Sequence, residues 1–457
     1  MATPKDLTQG SAGRVLIRFT MPLFLSVFFQ QLYNIADSAI AGTYIGEDAL
    51  AAIGASYPIT MLFMAIAIGS QIGCGVVLAR LYGAKAYPRV HSCISTALIS
   101  GLILSVFLSV LGVIAAEPLM RLVSTPQNIF ADGTTYLKIY TAGFVFVHLY
   151  NVITGLFSSL GDSKTPLYLL IFSSLGNIAL DFLFVPVLGK GVAGCAAATL
   201  IAQGAACILA LIMLRRRLRA IPKPMGTIPR FTWRDFRDIA AIAIPSILQQ
   251  SFISIGNLVI QRYVSAFGSS VIAGYSAAIK LNTFVVSCFT NMGSGISSFT
   301  GQNLSAAKPE RVREGFRADV ILACGTGLVF TALYLLCGTS LLRLFMNADS
   351  SRLALDTGMT FLRIVSPFYA IICIKTISDG ILRGSGSMQY FMIATFADLI
   401  LRVFLASILR KSFDATGIWL AWPVSWMLGT ALSYAFYRAN VWCRHLKTPQ
   451  EMTEEAE

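Results

Sequence analysis

Residues 191–238 read GVAGCAAATLIAQGAACILALIMLRRRLRAIPKPMGTIPRFTWRDFRD, and two signals meet in them. From Gly191 to Leu214 the chain carries no charge, and about 20 such apolar residues cross a hydrocarbon core of about 30 Å. From Arg215 to Asp238 it turns basic and is broken by Pro222, Pro224 and Pro229. A membrane span that runs into a proline-broken basic stretch, midway along 457 residues, reads as the junction between two halves. The composition agrees. Hydrophobic residues make up 56% and charged ones 12%, whereas soluble domains carry roughly 25% charged residues. That is too little charge to coat a water-facing surface, so a soluble enzyme, a disordered chain and a nucleic-acid binder are excluded despite a net charge of +13.

Outward from the junction, apolar runs between charged or Gly/Pro-rich breaks predict twelve helices. They lie near 15–45, 50–80, 92–116, 134–159, 167–188, 191–214, 239–264, 271–300, 316–341, 357–382, 390–409 and 415–438. The expected fold is an all-α integral membrane protein with twelve transmembrane helices in two pseudo-symmetric six-helix lobes. The lobes are 1–214 and 239–438, joined by a basic linker, 215–238, and followed by a tail, 439–457. Residues 1–13 read as a polar lead-in without a cleavable signal.

The halves repeat. Pro22 recurs as Pro245, Asn34 as Asn257, Gly73 as Gly295 and Arg89-Val90 as Arg311-Val312. Gly155 recurs as Gly380, Gly161 as Gly386, Gly194 as Gly417 and Arg215 as Arg438, at nearly constant spacing. Six helices per half is an even number, so both halves share one topology, as in parallel-repeat transporters. Two like lobes suit a carrier that opens alternately to either side.

The cations orient the chain. With both termini on one side, that side collects Lys5, Arg14, Arg18, Arg80, Lys85, Arg89 and Lys164. It also holds the linker cations (Lys223 among them), Lys308, Arg311, Arg313, Arg317, Arg383, Arg438, Arg444 and Lys447. The other side holds only Arg121, Lys138, Lys190, Arg343, Arg352, Arg363, Arg410 and Lys411. Basic residues in short loops mark the cytoplasmic face. Both termini and the linker are therefore expected in the cytoplasm, and the basic balance reports topology rather than a nucleic-acid partner.

Soluble-enzyme chemistry has no material here. No GxxxxGK[ST] loop is present, and Gly161-Asp162-Ser163-Lys164-Thr165 reads as a loop turn. The nine cysteines lack metal spacing and the histidines, His91, His148 and His445, lie far apart. No cofactor is expected, and without ATP hydrolysis the energy must come from an ion gradient. What remains are ionisable groups inside the spans, each a functional candidate because charge in the bilayer is costly. Asp37 stands in the first span. Asn177 and Asp181 stand four apart on one face of the fifth, and Thr199 stands in the sixth. Two carboxyls with amide and hydroxyl oxygens suit a hard cation, with Na⁺ at Asp37 and Asp181, or a proton. Gln30 and Asn34 share the first span and are expected to line the same cavity. In the second half, Lys375 with Asp379 and Asp398 with Arg402 are spaced i, i+4 and read as internal ion pairs. Pro22, Pro58, Pro245 and Pro367 lie within spans, and Pro22 is a candidate hinge. Gly69-Ser70-Gln71-Ile72-Gly73 reads as a close-packing face.

The residues Tyr33-Asn34-Ile35-Ala36-Asp37, Asn177-Ile-Ala-Leu-Asp181, Gly191-Val-Ala-Gly194 leading to Thr199, and Gly155 to Pro166 resemble the multidrug and toxic compound extrusion (MATE) family, DinF-like branch. The likeness runs along the whole chain. It implies an antiporter that exports amphipathic, cationic drugs or metabolites in exchange for H⁺ or Na⁺. Asp37, Asn177, Asp181 and Thr199 match coupling-ion positions, Tyr136 and Asn151 match cavity-lining positions, and Pro22 matches a bending proline. Other branches carry a membrane glutamate where this chain has Gln249 and Gln250, which leaves the coupling site to the first lobe. A monomer in a bacterial plasma membrane is expected. Rival readings are a lipid-linked oligosaccharide flippase, which would want a cationic cavity, and a receptor without substrate flux.

Overall fold

In hydrocarbon every backbone N–H and C=O must be satisfied within the chain, so long apolar runs become helices. The computed structural model describes residues 6–222, 228–346 and 351–443, and helices fill nearly all of them, with no strand among the described residues. Lys5, Lys223, Pro224, Arg444, His445 and Lys447, and most of the 439–457 tail, lie outside the described residues. The helices are α1 (Ala12–Tyr44), α2 (Glu47–Gly83), α3 (Tyr87–Leu122), α4 (Gln127–Ala142), α5 (Phe144–Ser159), α6 (Lys164–Phe182) and α7 (Gly191–Leu218). They continue with α8 (Trp233–Ser265), α9 (Ser269–Ser305), α10 (Pro309–Arg343), α11 (Arg352–Val365), α12 (Tyr369–Gly384) and α13 (Met388–Arg438).

These helices make twelve crossings. α4 and α5 form one span bent by 47° where Gly143 interrupts the ladder, a bend that the single helix expected over 134–159 did not foresee. α11 and α12 form another, broken by a 3₁₀ turn at Ser366–Phe368 that contains Pro367. α13 is 51 residues long, about 76 Å at 1.5 Å per residue, too long for one crossing. Phe413 and Asp414 leave helical geometry inside it, with Asp414 at φ 51°, and they divide it into the last two spans. Several helices also outrun their expected ends, because charged flanks such as Arg89, Arg121 and Arg215–Arg217 stay helical beyond the apolar run.

Two compact units emerge, and they do not divide at the linker. Among the described residues one spans Leu25–Ser251; the other joins Leu7–Phe24 to the chain from Phe252 to Cys443. The opening segment of α1 therefore belongs with the second unit, and that of α8 with the first. The boundaries fall soon after Pro22 and Pro245, each inside its helix.

Paired glycines explain the packing within each unit. In the first, a Cβ on Gly73 would lie 2.6 Å from Ala243 Cβ, and one on Gly69 2.6 Å from the Ile247 nitrogen. The GxxxG face of α2 thus receives the opening of α8. In the second, a Cβ on Gly295 would lie 2.9 Å from Thr20 Oγ1, so α9 receives the opening of α1 at the repeat-related position. A Cβ on Gly155 would lie 2.8 Å from the Gln71 carbonyl oxygen, and one on its repeat partner Gly380 would run into the Gly293 carbonyl. Backbone rather than a flexible side chain faces Gly380, so Gly380→Ala is expected to force α9 and α12 apart at about 1–3 kcal/mol. Gly325→Ala, with open space around it, is the control. Thermal unfolding should show a lowered midpoint for the first variant and none for the second.

The same repeat fixes the chain ahead of each swapped helix. In the second unit Arg311 binds the Leu7 carbonyl at 3.1 Å and Asn303 Oδ1 at 2.8 Å, while Lys308 Nζ donates to the Thr8 carbonyl at 2.9 Å. Leu7 is fully buried. In the first unit Arg89 pairs with Asp235 at 2.8 Å and Asp238 at 3.0 Å, and the Thr232 N–H donates to Thr96 Oγ1 at 3.0 Å. Arg89 and Arg311 therefore grip structure, a role beyond the orientation signal expected of them.

Candidate functional site

The candidate residues of the first unit converge from α1, α4, α6 and α7. Tyr33 and Asp37 stand four apart on α1, Asn177 and Asp181 four apart on α6, so each pair shares a helix face. Asn177 and Asp181 are buried, at 2% and 0% exposure, and Asp37 is half-buried. With its amide oxygen turned to α7, Asn177 accepts from Thr199 Oγ1 at 3.2 Å and from the Thr199 N–H at 3.0 Å. Its amide nitrogen then donates to Asp181 Oδ2 at 2.8 Å. The Tyr33 hydroxyl lies close to that of Thr199. One amide thus ties α6 to α7 and aims the Asp181 carboxyl.

The carboxyls of Asp37 and Asp181 lie within hydrogen-bonding reach of each other, and Asp181 Oδ1 receives a bond from no protein donor. Two ionised carboxylates are acceptors only. A pair in contact therefore needs one positive species between its oxygens, a proton or a small cation, to be stable. That requirement is the chemical content of the site.

Tyr136 lies near Asp37 and Tyr33 and stacks on Tyr140 with ring centroids 6.5 Å apart. Gln30, Asn34 and Asn151 make no hydrogen bond with the cluster. Gln30 and Asn34 are exposed on α1, where Asn34 donates to Gln31 at 3.0 Å, and Asn151 donates back to the Val147 carbonyl at 2.8 Å. Tyr33 was missed as a site residue, although its spacing of four from Asp37 was the available signal. Asp162, in the turn at Gly161, caps α6 by accepting from the Thr165 N–H at 3.0 Å. His148 is buried, with its ring 5.6 Å from that of Phe144.

In the second unit both expected ion pairs form, Lys375–Asp379 at 2.7 Å and Arg402–Asp398 at 2.9 Å. They also join, because Lys375 Nζ lies 3.9 Å from Asp398. Ser433 donates to Asp379 at 2.6 Å, Arg402 donates to Ser425 at 3.2 Å, and the Arg402 guanidinium stands 4.4 Å above the Trp422 ring. The repeat carries Asp37 to Ile260, Asn177 to Arg402, Asp181 to Ala406 and Thr199 to Trp422. The two units thus share a backbone plan and differ in charge, with an acidic pair in one and a network containing cations in the other.

A family model described as MatE matches the chain twice, at residues 22–183 and 245–408. The matches begin at Pro22 and Pro245, the first pair of the sequence repeat. The probable multidrug resistance protein YpnP of Bacillus subtilis is 27% identical over 438 residues, covering 96% of this chain and 97% of its own. DNA damage-inducible protein F of Escherichia coli is 23% identical over 373 residues, 79% of each chain. Among solved structures, a MOP superfamily transporter from Pyrococcus furiosus superposes with a TM-score of 0.90 at 22% identity, over 96% of this chain and 98% of that one. The fold is shared.

Proposed function

The chain belongs to the MatE family, a family of membrane transporters and not of enzymes, and from that premise we propose that it is a secondary antiporter. It exports amphipathic, cationic drugs or metabolites in exchange for H⁺ or Na⁺, opening alternately to the two sides of a bacterial plasma membrane. Both termini face the cytoplasm, and the transporter works as a monomer. The observation that carries this reading is the contact between Asp37 and Asp181. A site that needs one positive species can be satisfied by the coupling ion or relieved by a cationic substrate nearby, but not by both at once. Export follows from that exclusion. The ion enters from outside, favours substrate release, and leaves to the cytoplasm when the protein turns inward.

Energetics bound the export. Proton return is worth about 1.4 kcal/mol per pH unit, and moving a net charge adds about 2.3 kcal/mol per 100 mV. One-for-one exchange with a monovalent cation moves no net charge and accumulates roughly tenfold per pH unit. The test is flux of a fluorescent organic cation in proteoliposomes, with pH and sodium gradients imposed separately. Uphill movement driven by one of the two is expected. Equilibration alone under both gradients defeats the antiport reading.

A further inference from the structure

We infer that Lys375 is the resident cation of the second unit: its ammonium fills, between Asp379 and Asp398, the place of an exchangeable monovalent cation. On this assignment the second unit carries no coupling ion. The inference holds whichever ion the first unit takes, and its test reads cation binding rather than export.

The geometry is that of a cation site with its cation tethered. Lys375 Nζ reaches Asp379 Oδ2 at 2.7 Å and Asp398 Oδ2 at 3.9 Å. The other Asp379 oxygen accepts from Ser433 at 2.6 Å and the other Asp398 oxygen from Arg402 at 2.9 Å. Each carboxylate thus has one oxygen held by the protein and turns its second toward the ammonium. Lys375, Asp379 and Asp398 are each 5% exposed, so bulk water does not solvate their charges. The scaffold is shaped around the lysine stem, since a Cβ on Gly429 would lie 2.7 Å from Lys375 Cε and 3.0 Å from Asp398 Cβ. Arg402 pairs with Asp398, and Arg383, one turn beyond Asp379, acts on Asp379 through space while standing 5.4 Å from the Phe391 ring. Removing the ammonium therefore leaves Asp379 without its directly paired cation, a place that one monovalent cation fills. A lysine on a helix cannot dissociate, so this cation never exchanges.

The experiment uses the purified full chain with Asp37→Asn, which removes cation binding in the first unit, with and without Lys375→Ala. Thermal unfolding is followed in sodium, ethylammonium or choline chloride at equal ionic strength. Sodium or ethylammonium should raise the midpoint of the Lys375→Ala variant by about 4 °C over choline. The Asp37→Asn protein should show no such difference. Adding Asp379→Asn should abolish the effect. If the Lys375→Ala variant does not fold in choline, recovery of folded protein in sodium or ethylammonium supports the assignment equally. Failure in all three salts overturns it. So does a midpoint indifferent to cation, or a cation effect that survives Asp379→Asn.

Discussion

Asp37→Asn is expected to abolish gradient-driven export while leaving the protein folded. Under a gradient of one pH unit, one-for-one exchange sustains a substrate ratio of about tenfold, and in the variant that ratio should relax to near unity. The reason lies in the contact with Asp181. An amide donates a proton it cannot release, so it satisfies the Asp181 oxygen permanently and the pair no longer needs an exchangeable ion. Stability should hold or rise, since the substitution replaces a carboxyl–carboxyl contact by an amide–carboxyl hydrogen bond. Substrate flux in proteoliposomes and the unfolding midpoint of the same preparation check both halves of the expectation. Wild-type accumulation by the variant would take the coupling role away from Asp37.

The second large effect is structural. Arg402→Met removes the guanidinium that pairs with Asp398 at 2.9 Å, bonds Ser425 and covers the Trp422 ring. Breaking a buried pair from one side costs about 3–5 kcal/mol, because the partner charge stays buried, whereas replacing both partners is often near neutral. Arg402→Met should therefore unfold at a much lower midpoint, and adding Asp398→Asn should recover most of the loss. A double-mutant cycle on thermal unfolding measures the coupling. Additive losses would mean that the two side chains are stabilised separately.

Much of this molecule is legible in one dimension because its signals are local. Span count follows from runs of apolar residues. The GxxxG face at Gly69 and Gly73 and the repeat of Gly155 in Gly380 announce close crossings before any partner is known. Asp37, Asn177, Asp181 and Thr199 stand out as polar groups in apolar surroundings, and i, i+4 spacing pairs Lys375 with Asp379 and Asp398 with Arg402. Spacing along one helix cannot reveal that α12 and α13 bring Lys375 to Asp398, or that Ser433 and Ser425 complete the network. It is equally silent on the break at Gly143, which looks like any other glycine in an apolar run. The unit boundaries at Phe24 and Ser251 were the furthest from reach, because they depend on partners hundreds of residues away. The cations Arg89 and Arg311 read as orientation signals, and their charge alone gave no hint of the segments that they hold.

The exchanged opening segments bear on how the chain is made. Leu7 through Phe24 leaves the ribosome about 300 residues ahead of its hydrogen-bonding partners Gln302, Asn303 and Arg311. At about 5–20 residues per second, synthesis of the intervening chain takes on the order of 15–60 s. The far half of α1 gains its neighbours Asp181 and Thr199 about 150 residues after it is made, whereas the near half waits about twice as long for α9 and α10. The opening of α8 meets its own partners, Arg89 and Thr96, as soon as it is made. Biogenesis is thus asymmetric where the folded repeat is not. The first unit can close during translation, and the second must wait for α9 and α10 before the amino-terminal segment has anywhere to dock.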